Sequence, residues 1–197
     1  MAGGTMNTVE PIRDINQVYD IADFLEAKRE RDYVMFMVGI YSGLRISDIL
    51  KLTVRDVRDR MGNIKDHVYI REKKTGKEKR FIINNELQAI LSKYVYKKMD
   101  HEHLFKSRVG YNRPIVREQA YLILRQAAIK FGLENIGCHT LRKTFGYHLY
   151  QATHDIVAIQ LILGHRNESD TRRYIGIDQE RKDNIVKNLS FKRKRSA

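Results

Sequence analysis

The stretch from His139 to Tyr174, HTLRKTFGYHLYQATHDIVAIQLILGHRNESDTRRY, constrains the fold more than any other. It reads as three short helices with polar side chains held at their ends. Thr140 is placed to cap the first, so His139 lies just before that helix and Arg142 falls in its first turn. Leu141, Phe145 and Leu149 recur at helical spacing and turn it onto a core. Asp155 caps a second helix, which Gly164 ends. A glycine there lets the chain reverse and presents His165 at a fixed point. A third short helix carries Tyr174. The rest of the chain can be read as supplying a surface, an arginine and a lysine to this stretch.

Upstream, Asn16 is placed to cap a helix over 17–28, with Val18, Ile21, Ala22 and Leu25 on one face. A second helix over 31–41 stops at Gly43. GLRISDILKL follows, with Arg45 in the turn entering a short helix and Asp48 three residues on. An arginine beside a helix N-terminus suits an anion, although an Arg45–Asp48 pair could equally tie the turn. Residues 54–83 change period. Clusters of β-formers at 54–57, 67–70 and 80–83, separated by turns at Gly62-Asn63 and Thr75-Gly76, predict a small three-stranded antiparallel sheet. Its last turn carries Lys73, Lys74 and Lys77, and a basic hairpin tip is either solvated or able to reach a nucleic-acid groove. Helices are expected at 86–98, 117–131 and 178–189. The loop 99–116 holds His101 and His103, read as surface residues because no third ligand lies near. The fold class is therefore α+β and mostly helical.

The 197 residues suffice for one sizeable core. Thirty-seven Lys and Arg against 24 Asp and Glu give a formal net charge of +13, which favours a polyanion partner, nucleic acid before membrane. No apolar run approaches the ~20 residues that cross a bilayer. The single cysteine, Cys138, permits no intrachain disulfide and fits a reducing cytosol. Residues 1–10 read as unstructured or as an appended remnant, 11–190 as one domain, and 191–197 as a basic tail.

Five features in this order resemble the catalytic domain of the tyrosine recombinases, the phage integrase family. They are Gly43-Leu44-Arg45-x-x-Asp48, Lys74-Thr75-Gly76-Lys77, His139-x-x-Arg142, Leu163-Gly164-His165, and Tyr174 nine residues beyond His165. The resemblance covers roughly 12–189. Long family members carry a further N-terminal helical domain that completes a clamp on DNA. Only some forty residues precede Arg45, so the resemblance fits either a short single-domain recombinase or the catalytic part of a longer one.

The resemblance implies attack by a tyrosine on a DNA phosphodiester, a 3′-phosphotyrosyl intermediate and release of a 5′-hydroxyl. It implies Tyr174 as nucleophile, Arg45 and Arg142 as phosphate clamps, His139 as base toward Tyr174, and His165 as a hydrogen bond to the phosphate. It further implies Lys74 as general acid, Asp48 in support, and Lys73 and Lys77 as DNA contacts. The chemistry suits these residue types. Ionising a tyrosine of pKa ~10 at pH 7 costs roughly 4 kcal/mol, which a base or positive field must offset. Guanidinium groups match phosphate geometry in pairs, and one fixed donor can supply roughly 3–4 kcal/mol in the transition state. No cofactor, metal or ATP is expected. The expected partner is double-stranded DNA, bound by four protomers on two sites, with a monomer or weak oligomer when free. A cytoplasmic protein of bacterial, phage or mobile-element origin is implied. Two other readings keep the same residues: a DNA-binding module that has lost turnover, and a type IB topoisomerase-like enzyme that nicks and reseals one strand. Taken singly, Tyr174 would be one packing residue among eleven tyrosines; the ordered set is what carries the reading.

Overall fold

The computed structural model describes residues 9–71, 76 and 78–189. In chain order the helices are α1 (Ile15–Lys28), α2 (Glu30–Ser42), α3 (Ile46–Ile49) and α4 (Val54–Val57). Strands β1 (His67–Arg71) and β2 (Glu78–Ile82) follow. The remaining helices are α5 (Asn85–Val95), α6 (Arg117–Lys130), α7 (Thr140–Thr153), α8 (Ile156–Leu163), α9 (Glu168–Ile175) and α10 (Ile177–Lys187).

The apolar stripe expected for the first helix is buried, but its cap is not Asn16. The Asp14 carboxylate accepts the Asn16 N–H at 2.9 Å. An acidic cap also meets the positive end of the helix dipole, which favours it over a neutral amide two residues later.

The sheet has two strands among the described residues, not three. His67 pairs with Ile82 and Arg71 with Glu78, antiparallel. The expected first strand, Val54–Val57, is instead one helical turn. Thr53 donates from both its N–H and its hydroxyl to the Asp56 carboxylate, each at 2.7 Å. This capping box settles the local conformation against the β preference of two valines. Lys73, Lys74 and Lys77 lie outside the described residues.

Helix α2 sits centrally, in contact with α1, α5, α6 and α7. The main core includes Met35, Phe36, Ile49, Leu87, Leu91 and Phe105, all essentially without solvent contact. A second, smaller cluster gathers Ile159, Leu163, Ile175 and Ile177 against Tyr147 of α7. Gly146 allows that arrangement: a Cβ there would stand 2.7 Å from Ile175 Cγ2 and 3.2 Å from Leu163 Cδ1. The close approach seats α9, and with it Tyr174, directly on α7.

Residue 10, assigned from sequence to the unstructured end, belongs to the fold. The Glu10 N–H donates to the Asn135 carbonyl at 2.8 Å, and the Thr140 hydroxyl donates to the Glu10 carbonyl at 3.0 Å. The Ile12 N–H donates to Thr144 Oγ1 at 2.9 Å, so residues 10–12 strap the first turns of α7. His101 is exposed as expected. His103 is half-buried, because a bridge to Thr53 and the Asn112 side chain draw its backbone inward. No helix among the described residues is long and apolar enough to cross a membrane.

Candidate active site

Arg45 and Arg142 are brought to one place by the packing of α2 on α7. Arg45 is the N-cap residue of α3, two residues beyond the left-handed Gly43 that ends α2. Arg142 lies in the first turn of α7 and is 2% exposed. Its Nη1 donates to the Gly43 carbonyl at 2.7 Å, and its Nη2 donates to the Leu163 carbonyl. One guanidinium therefore ties the end of α2 to the end of α8. A buried charge fixed by two carbonyl acceptors loses little entropy when it meets a ligand. Asp48, three residues after Arg45, is 4% exposed.

Gly164 ends α8 in the left-handed region at φ 67°, a conformation that side chains with a Cβ rarely adopt. The reversal delivers His165 beside the tyrosine helix. The His165 Nδ1 lies 3.1 Å from the hydroxyl of Thr171, a residue without solvent exposure. That hydroxyl donates to the Asn167 carbonyl at 3.1 Å. Its single hydrogen being so used, it accepts from Nδ1–H, and Nε2 is the basic nitrogen of the neutral ring. Loss of hydration, then the charges of Arg142, Arg45 and Lys79, push the imidazole down to about 4, with Asp170 opposing them.

Tyr174 projects from α9 into this group. Its hydroxyl is 3.4 Å from His139 Nδ1. The ring lies edge to face with His165, with centroids 4.8 Å apart. Burial raises the phenol above its ordinary value; the Arg142 charge, a hydrogen bond from Arg142 and the Arg45 charge act in the opposite sense. His139 is lowered by loss of hydration first, then by Arg117, Arg142, Lys143 and Arg45. His139 is itself the N-cap residue of α7, with αR backbone, and Thr140 is the first helical residue rather than the cap. The Thr140 hydroxyl donates to the Glu10 carbonyl and accepts the Gly137 N–H at 3.0 Å, so it serves the strap and the preceding turn instead of the helix end.

The structure thus brings Arg45, His139, Arg142, His165 and Tyr174 together; Asp48 is buried in α3, and Lys74 lies outside the described residues. Sequence reasoning missed four contributors. Thr171 orients His165. Lys143 Nζ stands 5.2 Å from the Tyr174 ring centroid. The charges of Arg117 and Lys79 are felt at His139 and His165 respectively. Thr171 was legible in principle, since a threonine four residues after the cap Asn167 and three before Tyr174 shares their helix.

Residues 12–181 match the phage integrase family. The chain is 48% identical over 175 residues to the probable integrase/recombinase YoeC of Bacillus subtilis (strain 168), covering 89% of this chain and 93% of that protein. It is 31% identical over 198 residues to a tyrosine recombinase of Pseudothermotoga lettingae, covering 93% of this chain and 66% of the relative. Among solved structures, XerA recombinase matches with a TM-score of 0.70 at 22% identity, over 92% of this chain and 67% of the XerA chain. XerH bound to palindromic difH substrate matches with a TM-score of 0.68 at 20% identity, over 95% of this chain and 54% of that one. At those identities the structural likeness speaks for the fold. The chain spans nearly all of YoeC but only about half to two thirds of the other tyrosine recombinases it matches. Matched along most of its length in sequence, and folded as these enzymes fold, the chain belongs to the phage integrase family, the tyrosine recombinases.

Proposed function

We propose that this chain is a site-specific DNA recombinase that cuts and rejoins strands through a 3′-phosphotyrosyl bond at Tyr174. The Tyr174 oxygen attacks the scissile phosphorus, and the bond from phosphorus to the 5′-oxygen breaks. The phenolic proton passes to His139, and the leaving 5′-oxygen takes a proton from Lys74. Arg45 and Arg142 hold the non-bridging oxygens as their charge grows. His165 hydrogen-bonds the same phosphate, and Asp48 steadies the turn that carries Arg45. The 5′-hydroxyl of another strand then attacks the phosphotyrosine and frees Tyr174. The covalent link conserves the bond energy, so no ATP enters.

One observation carries this reading: the Tyr174 hydroxyl stands 3.4 Å from a histidine nitrogen, inside a group of fixed cations. A long contact of this kind is ordinary for a site without its substrate. The XerH complexes with difH, before and after cleavage, support DNA as the substrate class. We further propose four protomers acting on two duplex sites in the cytoplasm, with a monomer or weak oligomer when free. The exposed Ile185, Val186 and Leu189 at the end of α10 supply apolar surface for a neighbouring protomer.

The test is a duplex nicked next to the cleavage site, which releases a short fragment and traps the covalent complex. Wild type forms a denaturant-resistant adduct, and Tyr174→Phe forms none. Adduct formation by Tyr174→Phe would refute the assignment. Relaxation of supercoiled plasmid with no two-site product would favour topoisomerase-like resealing instead.

A further inference from the structure

Lys143 follows Arg142 in the first turn of α7. It shares a helix face with Gly146 and Tyr147, and Gly146 is where Ile175 of α9 comes closest. A half-buried lysine ordinarily bends its ammonium out to water. This one stands over the Tyr174 ring, with Nζ 5.2 Å from the ring centroid. His165 and His139 meet the same ring in edge-to-face contacts, with centroids 4.8 and 6.5 Å away. The imidazoles and the ammonium therefore bound the ring together, and the place of the ring sets the place of its hydroxyl, 3.4 Å from His139 Nδ1. Glu10 in the strap favours the charged form of Lys143, but its carboxylate is itself bonded to Arg13 at 2.8 Å. The ammonium is thus turned to the ring of the nucleophile rather than paired with the strap.

We propose that Lys143 is a positioning residue for the nucleophile: its ammonium, set against the negative face of the Tyr174 ring, holds the phenol oxygen beside His139 for attack. This rests on the strand-cleavage reading above. In this role Lys143 moves no proton and touches no DNA atom. A cation is drawn to the electron-rich face of an aromatic ring, and the attraction grows as the ring takes on negative charge. The contact therefore tightens as the phenol gives up its proton.

The experiment measures single-turnover adduct formation at saturating nicked DNA for wild type, Lys143→Met and Lys143→Arg. It is run at about pH 8, above the ordinary imidazole range, so that His139 is neutral in each protein. Each is made with tyrosine and with 3,5-difluorotyrosine at position 174. The fluorines draw negative charge from the ring face, and their effect on phenol acidity is common to every variant. With tyrosine, Lys143→Met should cleave roughly tenfold more slowly than wild type. With difluorotyrosine that ratio should shrink, and Lys143→Arg should keep most of the wild-type rate on either ring. Melting temperatures of both variants should stay near wild type. Cleavage by Lys143→Met at the wild-type rate would overturn the proposal, and a defect confined to subsaturating DNA would make Lys143 a DNA contact instead. An equal defect on both rings would also overturn it, as would a loss that tracks unfolding and that arginine does not recover. If wild type itself forms no adduct, the strand-cleavage reading fails; if wild type reacts normally and Lys143→Met matches it, only the role of Lys143 fails.

Discussion

Replacing Gly146 by alanine places a methyl group 2.7 Å from Ile175 Cγ2 and 3.2 Å from Leu163 Cδ1. Cγ2 hangs from the branched carbon of an isoleucine without solvent exposure, so it cannot turn aside without leaving its rotamer. Helix α9 must then shift against α7. Two stability effects oppose each other. Alanine in a helix interior gains about 1 kcal/mol over glycine, whereas overpacking costs about 1–3 kcal/mol. The net loss is about 0–2 kcal/mol, or a few degrees of melting temperature at roughly 2–4 °C per kcal/mol. Chemistry is far less tolerant. Ile175 adjoins Tyr174, and a misplacement of about 1 Å can cost on the order of 100-fold in rate. Gly146→Ala should therefore fold, bind DNA and cleave a nicked substrate roughly 10- to 100-fold more slowly. Thermal denaturation and single-turnover cleavage at saturating DNA measure the two effects separately. A Gly146→Ala protein with a raised melting temperature and wild-type cleavage would show that this contact does not seat the tyrosine helix.

Thr171→Val keeps shape but removes the acceptor for His165 Nδ1 and the donor to the Asn167 carbonyl; it should cost about 1–3 kcal/mol by urea melting and slow cleavage further than stability explains. Arg142→Lys cannot bridge the Gly43 and Leu163 carbonyls with one ammonium, so cleavage should fall at least about 100-fold, read as adduct yield with time. His139 can accept the tyrosine proton only when neutral. Because its folded value is lowered, cleavage should hold as pH falls through the ordinary imidazole range, and Arg117→Ala should move the acid limb to higher pH. The lowered His165 value makes the unfolded chain the better proton binder below about pH 6.5. Stability present at neutral pH is therefore lost on acidification toward about pH 4, and His165→Gln should flatten that part of the melting-temperature profile.

The helices around Tyr174 were legible because their signals are local. Asp155 caps α8 through the Ala158 N–H, and Gly164 ends it, as the sequence indicates. The convergence of Arg45 on Arg142 was not legible from spacing; it depends on α2 packing along α7, nearly a hundred residues away, and entered only through resemblance. The strand expected at 54–57 failed because valine preference is weak beside a Thr-x-x-Asp capping box. Thr140 was misread because its hydroxyl is held from outside the helix, by the Gly137 N–H it accepts and by the remote Glu10 carbonyl it donates to. Lys79 and Lys143 escaped notice for a similar reason: among 37 basic residues, nothing local distinguishes a lysine whose strand or helix turns it inward.

Peptide mapping of the trapped adduct asks most directly whether Tyr174 is the nucleophile. After nuclease trimming and trypsin digestion, the account predicts nucleotide mass on the fragment from Tyr174 to Arg181, joined through a 3′-phosphate. Nucleotide on Tyr147 or Tyr150, or a link through a 5′-phosphate, would contradict it.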